Sequence, residues 1–143
     1  VRLDPATCRR LLAEARVAHL ATTGAAGPHI VPIVFAVEGD TIVSVVDDKP
    51  KTTRRLLRLR NLETDPRATV LVDRYDEDWS RLWWVRADGV ATVSWDDAEV
   101  AEALPALRRR YPQYVDTEPP GPLIRITVQR MTGWAADPSA TTP

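Results

Sequence analysis

The residues best placed to do chemistry are Lys49, Pro50, Lys51 and Thr52. They open a run from Lys49 to Arg60 that holds six basic residues and no acidic one, in a chain whose net charge is only -1. The run follows an apolar stretch with strand character and leads into a helical repeat. The first turn of a helix leaves backbone N–H groups unpaired and carries a partial positive charge. Two ammonium groups and the hydroxyls of Thr52 and Thr53 at such a turn make a site for a phosphate. Asp47 and Asp48 oppose this unless they turn away or pair with arginines. The run lacks the glycines of a P-loop. A nucleic-acid helix would need more positive field than the rest of this chain supplies, so nucleic acid is a disfavoured partner.

A second constellation spans Asp76 to Arg86, "DEDWSRLWWVR". On a strand, Leu82 and Trp84 face one way and Trp83 and Val85 the other, so both faces are bulky and apolar. That pattern fits a partner subunit or a flat aromatic ligand, or a core with one exposed tryptophan. Cys8, His19 and His29 have no metal-ligand spacing, and no metal is expected. The chain contains no G-x-S-x-G, H-E-x-x-H or C-x-x-C, so nucleophilic catalysis and metal hydrolysis have no machinery to point to.

The elements that must position these residues follow from periodicity and capping. Residues 4–15 read as a helix, with Asp4 as cap and Pro5 in the first turn. Strands are expected at 17–23, 28–37, 41–46, 67–75, 81–95 and 122–136, the fifth kinked or bulged near Gly89. Pro32 cannot donate to a ladder and marks an edge or bulge. Leu56, Leu59 and Leu62 give one apolar side to a helix over about 52–64, with Arg54 and Arg58 on the other and Arg55 at its margin. Residues 96–111 form another helix, acidic at its start and basic at its end, which Pro105 should bend or divide. Loops are expected at 76–80 and 112–121. The chain of 143 residues reads as one domain, 1–143, with 137–143 a frayed tail. The expected fold is mainly β with flanking helices: six antiparallel strands, closed or sandwiched. No apolar run is long enough to span a membrane, and the single cysteine fits a cytoplasmic protein.

The segments "GAAGPHIVPIVF", "TIVSVVDDKPKTTRRLLRLRNLETDPRATVLVD" and "DWSRLWWVRADGVATV" resemble the pyridoxamine-5′-phosphate-oxidase-like split-barrel superfamily. The likeness covers about residues 5–135 and is greatest to the branch that uses the 8-hydroxy-5-deazaflavin coenzyme F420. It implies a six-stranded antiparallel split β-barrel of the FMN-binding type, and a homodimer with cofactor sites at the interface. Lys49 and Lys51, with Pro50 between them and Thr52 beside them, would hold the cofactor phosphate. Ser44 and Val45 would run beside the cofactor, and the backbone at Val31 and Pro32 would flank its ring. Trp79, Ser80 and Arg81 would line the groove from the neighbouring subunit.

The implied activity is an F420-dependent oxidoreductase, passing a hydride between deazaflavin C5 and a conjugated small-molecule substrate. Its protein part is to hold the reacting carbons about 3–3.5 Å apart. Arg54, Arg55 or Arg58 would meet the carboxylates of the cofactor's glutamate tail. No side-chain general acid stands out; solvent, a water or Arg81 is the candidate proton source. The alternatives are FMN in the same site, or a non-catalytic F420-binding carrier. The chain lacks the Arg-Leu-x-Pro-like ending of the true pyridoxamine-phosphate oxidases, which argues against vitamin B6 oxidation.

Overall fold

The structure, a computed structural model, describes residues 1–46 and 56–143. Asp4 accepts a hydrogen bond from the Thr7 backbone N–H at 2.9 Å and, with Pro5 behind it, starts helix α1 (Pro5–Glu14). Strands β1 (Ala18–Gly24) and β2 (Gly27–Ile33) form a hairpin, followed by β3 (Ala36–Glu38) and β4 (Thr41–Val45). Helix α2 (Leu57–Thr64) leads to β5 (Arg67–Arg74) and the long β6 (Trp83–Ser94). Helix α3 (Asp97–Arg110) and β7 (Leu123–Ala135) complete the fold.

The strands make one antiparallel sheet in the order β2-β1-β5-β6-β7-β4-β3. Among the described residues its seven strands correct the expected six, because the stretch expected as one strand over 28–37 breaks at Val34–Phe35. The two ends of the sheet are thus β2 and β3, neighbours in the chain but not in the ladder, and the split lies between them. Two side chains stitch it. Ser44 Oγ donates to the Val34 carbonyl at 2.8 Å, and the Tyr111 hydroxyl accepts from the Phe35 N–H at 3.1 Å. The same hydroxyl donates toward the carbonyls of Arg16, at 2.7 Å, and Phe35, at 3.1 Å.

The concave face of the sheet holds the main core. Leu20, Phe35, Ile42, Val70, Val85 and Ile126 are fully buried there, with Leu11 and Leu12 of α1 and Leu59 and Leu62 of α2 packed among them. The expected leucine side of α2 is therefore inward. Its fit against β1 is close: a Cβ on Gly24 would stand 1.9 Å from Asn61 Oδ1, and Asn61 donates to Thr22 Oγ1 at 3.0 Å. A second cluster lies on the other face, where α3 sets Val100, Ala103 and Leu107 against Val43, Val45 and Leu123. Pro105 does not divide α3, which runs unbroken from Asp97 to Arg110; the proline is exposed on the solvent side, where a lost backbone bond is replaced by water. The β6–β7 register shifts between Asp88 and Gly89, where a kink or bulge is expected. A Cβ there would meet the Thr127 carbonyl oxygen at 2.2 Å, so glycine is what lets the two backbones approach.

Two further expectations are corrected by short 3-10 turns. Residues 79–81 of the expected loop form one, and Pro138–Thr141 of the expected frayed tail form another, capped by Asp137 and with Thr141 buried. Among the described residues no helix is long and apolar enough to cross a membrane.

Candidate functional site

The split opens into a cleft of about 310 Å³ lined by Val17, Pro32, Ile33, Val34, Ser44, Val45 and Arg58. Chain geometry explains why these residues meet. Proline has no N–H, so Pro28 and Pro32 of edge strand β2 must sit where the backbone points away from β1. The open edge therefore offers the Pro28, Ile30 and Pro32 carbonyls and the Ile30 N–H, groups able to orient a heterocycle. Opposite this edge stands the end of β4, with Ser44 turned into the barrel and Val45 turned toward α3. Arg58, in the first turn of α2, brings a cation to an otherwise largely apolar wall.

Three of the expected cofactor residues, Pro32, Ser44 and Val45, are thus gathered in one cleft. Lys49, Pro50, Lys51 and Thr52, expected at the phosphate, lie outside the described residues, as do Arg54 and Arg55, expected at the glutamate tail. Val17, Ile33 and Val34 also line the cleft, and nothing in their types marks them as more than strand residues. The signal that could have found Val34 is the Tyr111 hydroxyl, a polar group that a buried core needs only where strand pairing fails.

Trp79, Ser80 and Arg81 do not line this cleft within one chain. They form the exposed turn capped by Asp78, which accepts from the Ser80 N–H at 3.1 Å and from Ser80 Oγ at 2.8 Å. These bonds hold the Asp78 carboxyl below its ordinary range. Arg81 Nε is 3.4 Å from Asp76 Oδ2, and Trp79 is 68% exposed.

Among the described residues, the outer face of β2, β1, β5, β6 and β7 carries exposed aromatic and aliphatic side chains. Trp84 and Trp134 stand opposite each other in register, 36% and 37% exposed, over a cleft of about 520 Å³. Trp83, on the other face, is half-buried against the main core. The two-sided bulk of this strand is therefore core on one side and uncovered aromatic surface on the other. Thr132 Oγ1, in register with Arg86 on the same outer face, is buried without a hydrogen-bond partner.

His19 and His29 cannot meet at one metal. Buried Ala18 and Leu20 set His19 on the outer face, whereas His29 pairs with buried Thr22 and faces inward. Among the described residues no group of three or more His, Cys, Asp or Glu side chains could hold a metal ion. Burial pushes the Cys8 thiol up, away from the thiolate a nucleophile needs.

No curated protein matches the chain. Among solved structures, a conserved hypothetical protein from Mycobacterium tuberculosis superposes with a TM-score of 0.77 at 21% identity, over 99% of this chain and 89% of that one. A FAD-binding protein from Mesorhizobium loti gives 0.70 at 19% identity, covering 93% and 95%. HutZ, the heme storage protein from Vibrio cholerae, gives 0.67 at 17% identity, covering 94% and 95%. At these identities the likeness is one of fold: a mainly antiparallel barrel split at one seam. The profile of the pyridoxamine 5′-phosphate oxidase family matches residues 4–135, from the cap of α1 to the last residue of β7. With nearly the whole chain matched and the split barrel in place, the protein belongs to the pyridoxamine 5′-phosphate oxidase family.

Proposed function

We propose that the protein is a cytoplasmic homodimeric oxidoreductase that binds F420 in the split and reduces a conjugated small molecule. The observation that carries this reading is the cleft between Pro32 and Ser44–Val45, which opens where β4 runs into the Lys49–Arg60 segment. A flat ring needs an apolar slot with a few backbone groups; a phosphate needs cations beside it. In the sequence, the basic run follows the strand that supplies one wall of this slot.

The residues present fit the cofactor. Val17, Ile33, Val34 and Val45 supply the dry walls, and the open edge of β2 supplies carbonyls and an N–H for ring polar atoms. Lys49, Lys51 and Thr52 would hold the phosphate, and Arg55 and Arg58 the carboxylates of the tail. When bound, F420 supplies a hydride from C5 of its ring. The chain's own work is to orient the ring, exclude water and hold the substrate against it. Trp79, Ser80 and Arg81 of the partner subunit would close the groove, with Arg81 or a water passing the proton. The uncovered outer face, with Ile30, Trp84 and Trp134 exposed and Thr132 Oγ1 unsatisfied, supports a second subunit there.

FMN is the second reading, favoured by the FAD-binding neighbour, since its phosphate would use the same cations. A non-catalytic carrier is the third, suggested by the heme-storage neighbour. Heme itself suits the cleft poorly, because its described lining holds no His, Cys, Tyr or Met to serve as axial ligand. The test is a titration of the purified protein with F420 and with FMN, followed by ultracentrifugation and assay against enones and quinones. Colourless protein that quenches F420 fluorescence at micromolar concentration and turns over supports the proposal. A yellow flavin retained through purification favours FMN, and tight F420 binding without turnover favours the carrier.

A further inference from the structure

The C-terminal ends of α1 and α3 meet beside the split, and each is capped by an arginine from the other side. Arg110, in the last turn of α3, donates from its two terminal nitrogens to the carbonyls of Ala13 and Ala15 at the end of α1. Arg16 returns the bond, donating to the Arg110 carbonyl at 2.6 Å. The last carbonyls of a helix lack partners within it, and a cation is favoured beside them. The Arg110 guanidinium also lies over the rings of Phe35 and Tyr111, 4.8 Å and 5.6 Å from their centroids. No carboxylate pairs with it among the described residues. Burial pushes this group below its ordinary value, and the Arg16 cation adds to the effect.

The clasp reaches the cleft at the split through the backbone. Val17, a wall of the cleft, follows Arg16 and is 53% exposed, so little packing holds its side chain and the chain before it decides where it stands. Val34, another wall, precedes Phe35, whose ring the guanidinium covers and whose N–H donates to the Tyr111 hydroxyl at 3.1 Å. Val45, from β4, packs in one cluster with Leu107 and Tyr111. Three walls from three stretches of chain are tied to one helix end, while Arg110 itself does not line the cleft.

We infer that Arg110 is a positioning residue of the split: its guanidinium holds residues 13–17 against Phe35 and so sets the width of the slot, an assignment that rests on the slot being the seat of the redox ring. A guanidinium can reach two carbonyls at once while lying flat on an aromatic face. A lysine ammonium keeps the charge and loses that fork.

The probe is 8-hydroxy-5-deazariboflavin, which has the ring but neither phosphate nor glutamate, titrated by fluorescence beside F420. Arg110→Ala and Arg110→Lys should each weaken both compounds about tenfold or more. The salt dependence of F420 binding should not change, because the lost fit is to the ring and not to the phosphate. Val85→Ala, which lowers stability by opening a cavity deep in the main core, should leave both affinities at wild-type values. In ligand-free protein, amide exchange at Ala18, which pairs with Ile33, and at Phe35 should quicken in both Arg110 variants more than at Val72. Circular dichroism confirms that each variant is folded. Wild-type ring affinity in folded Arg110→Lys, an equal loss in Val85→Ala, or unaltered exchange at Ala18 and Phe35 overturns the assignment. A wild-type protein that binds neither compound refutes the cofactor reading instead, and the exchange result then decides the clasp by itself.

Discussion

Replacing Tyr111 by Phe removes one oxygen from the seam of the barrel. Tyr111 lies at the end of α3, 7% exposed, and its hydroxyl is the link between that helix, the carbonyl of Arg16 before β1 and the backbone of Phe35. The hydroxyl has one proton to donate, and the Arg16 carbonyl at 2.7 Å is its nearer acceptor. Losing that bond costs about 1 kcal/mol. The larger loss is on the other side. Phe35 is fully buried, and its N–H at 3.1 Å from the hydroxyl would have no replacement partner. Leaving a buried donor unpaired costs about 1–3 kcal/mol. Together the substitution should destabilise the fold by roughly 2–4 kcal/mol, an amount that chemical denaturation resolves when the slope is unchanged. Amide exchange at Phe35 should quicken more than at Ile126, deep in the β4–β7–β6 ladder. A stability loss under about 0.5 kcal/mol, with Phe35 exchange unaltered, would refute the claim that this side chain substitutes for a missing strand partner.

The Asp65 carboxyl is lowered to about 2, mainly by the side-chain hydrogen bonds from Arg67, at 2.7–3.2 Å, and then by the Arg67 backbone N–H. A depressed carboxylate contributes stability above its unfolded pKa and loses it as pH falls from about 4 toward 2. Carboxyl NMR should find that midpoint, and Arg67→Gln should raise it; an ordinary midpoint in the wild type contradicts the pairing. Lys51→Ala should weaken F420 binding by about 1.5–3 kcal/mol if its ammonium meets the phosphate, and an unchanged dissociation constant would reject that role. Trp79→Ala should alter stability by no more than about 0.5 kcal/mol, since the ring is exposed, while reducing F420 affinity in the dimer. A large drop in melting temperature with unaltered affinity would place Trp79 in packing instead.

Local chemistry was readable along most of the chain. Asp4 and Pro5 announce α1, the leucine spacing announces the inward side of α2, and Gly89 announces the point where the β6–β7 register shifts. What stayed hidden depends on residues far apart in sequence. "PIVFAV" reads as uninterrupted strand, and only Tyr111, some 76 positions away from Phe35, supplies the bonds that let it break. Pro105 looks disruptive until its solvent-facing position is known. The site was legible in the same uneven way. Pro32 signals a strand edge by its missing N–H, but Val17 and Val34 become cleft walls only through the closure of the barrel. Trp79 lies on an exposed turn away from the cleft within one chain, so its proposed role there rests on the proposed dimer.

The central claim is that a phosphate-bearing redox ring sits in the split between Pro32 and Ser44–Val45. A crystal structure of the protein grown with F420 tests it most directly. The account predicts a dimer with the ring against that cleft, the phosphate at Lys49 and Lys51, and Trp79 of the partner subunit across the groove. A monomer, or a cofactor bound elsewhere with both lysines in open water, would contradict it.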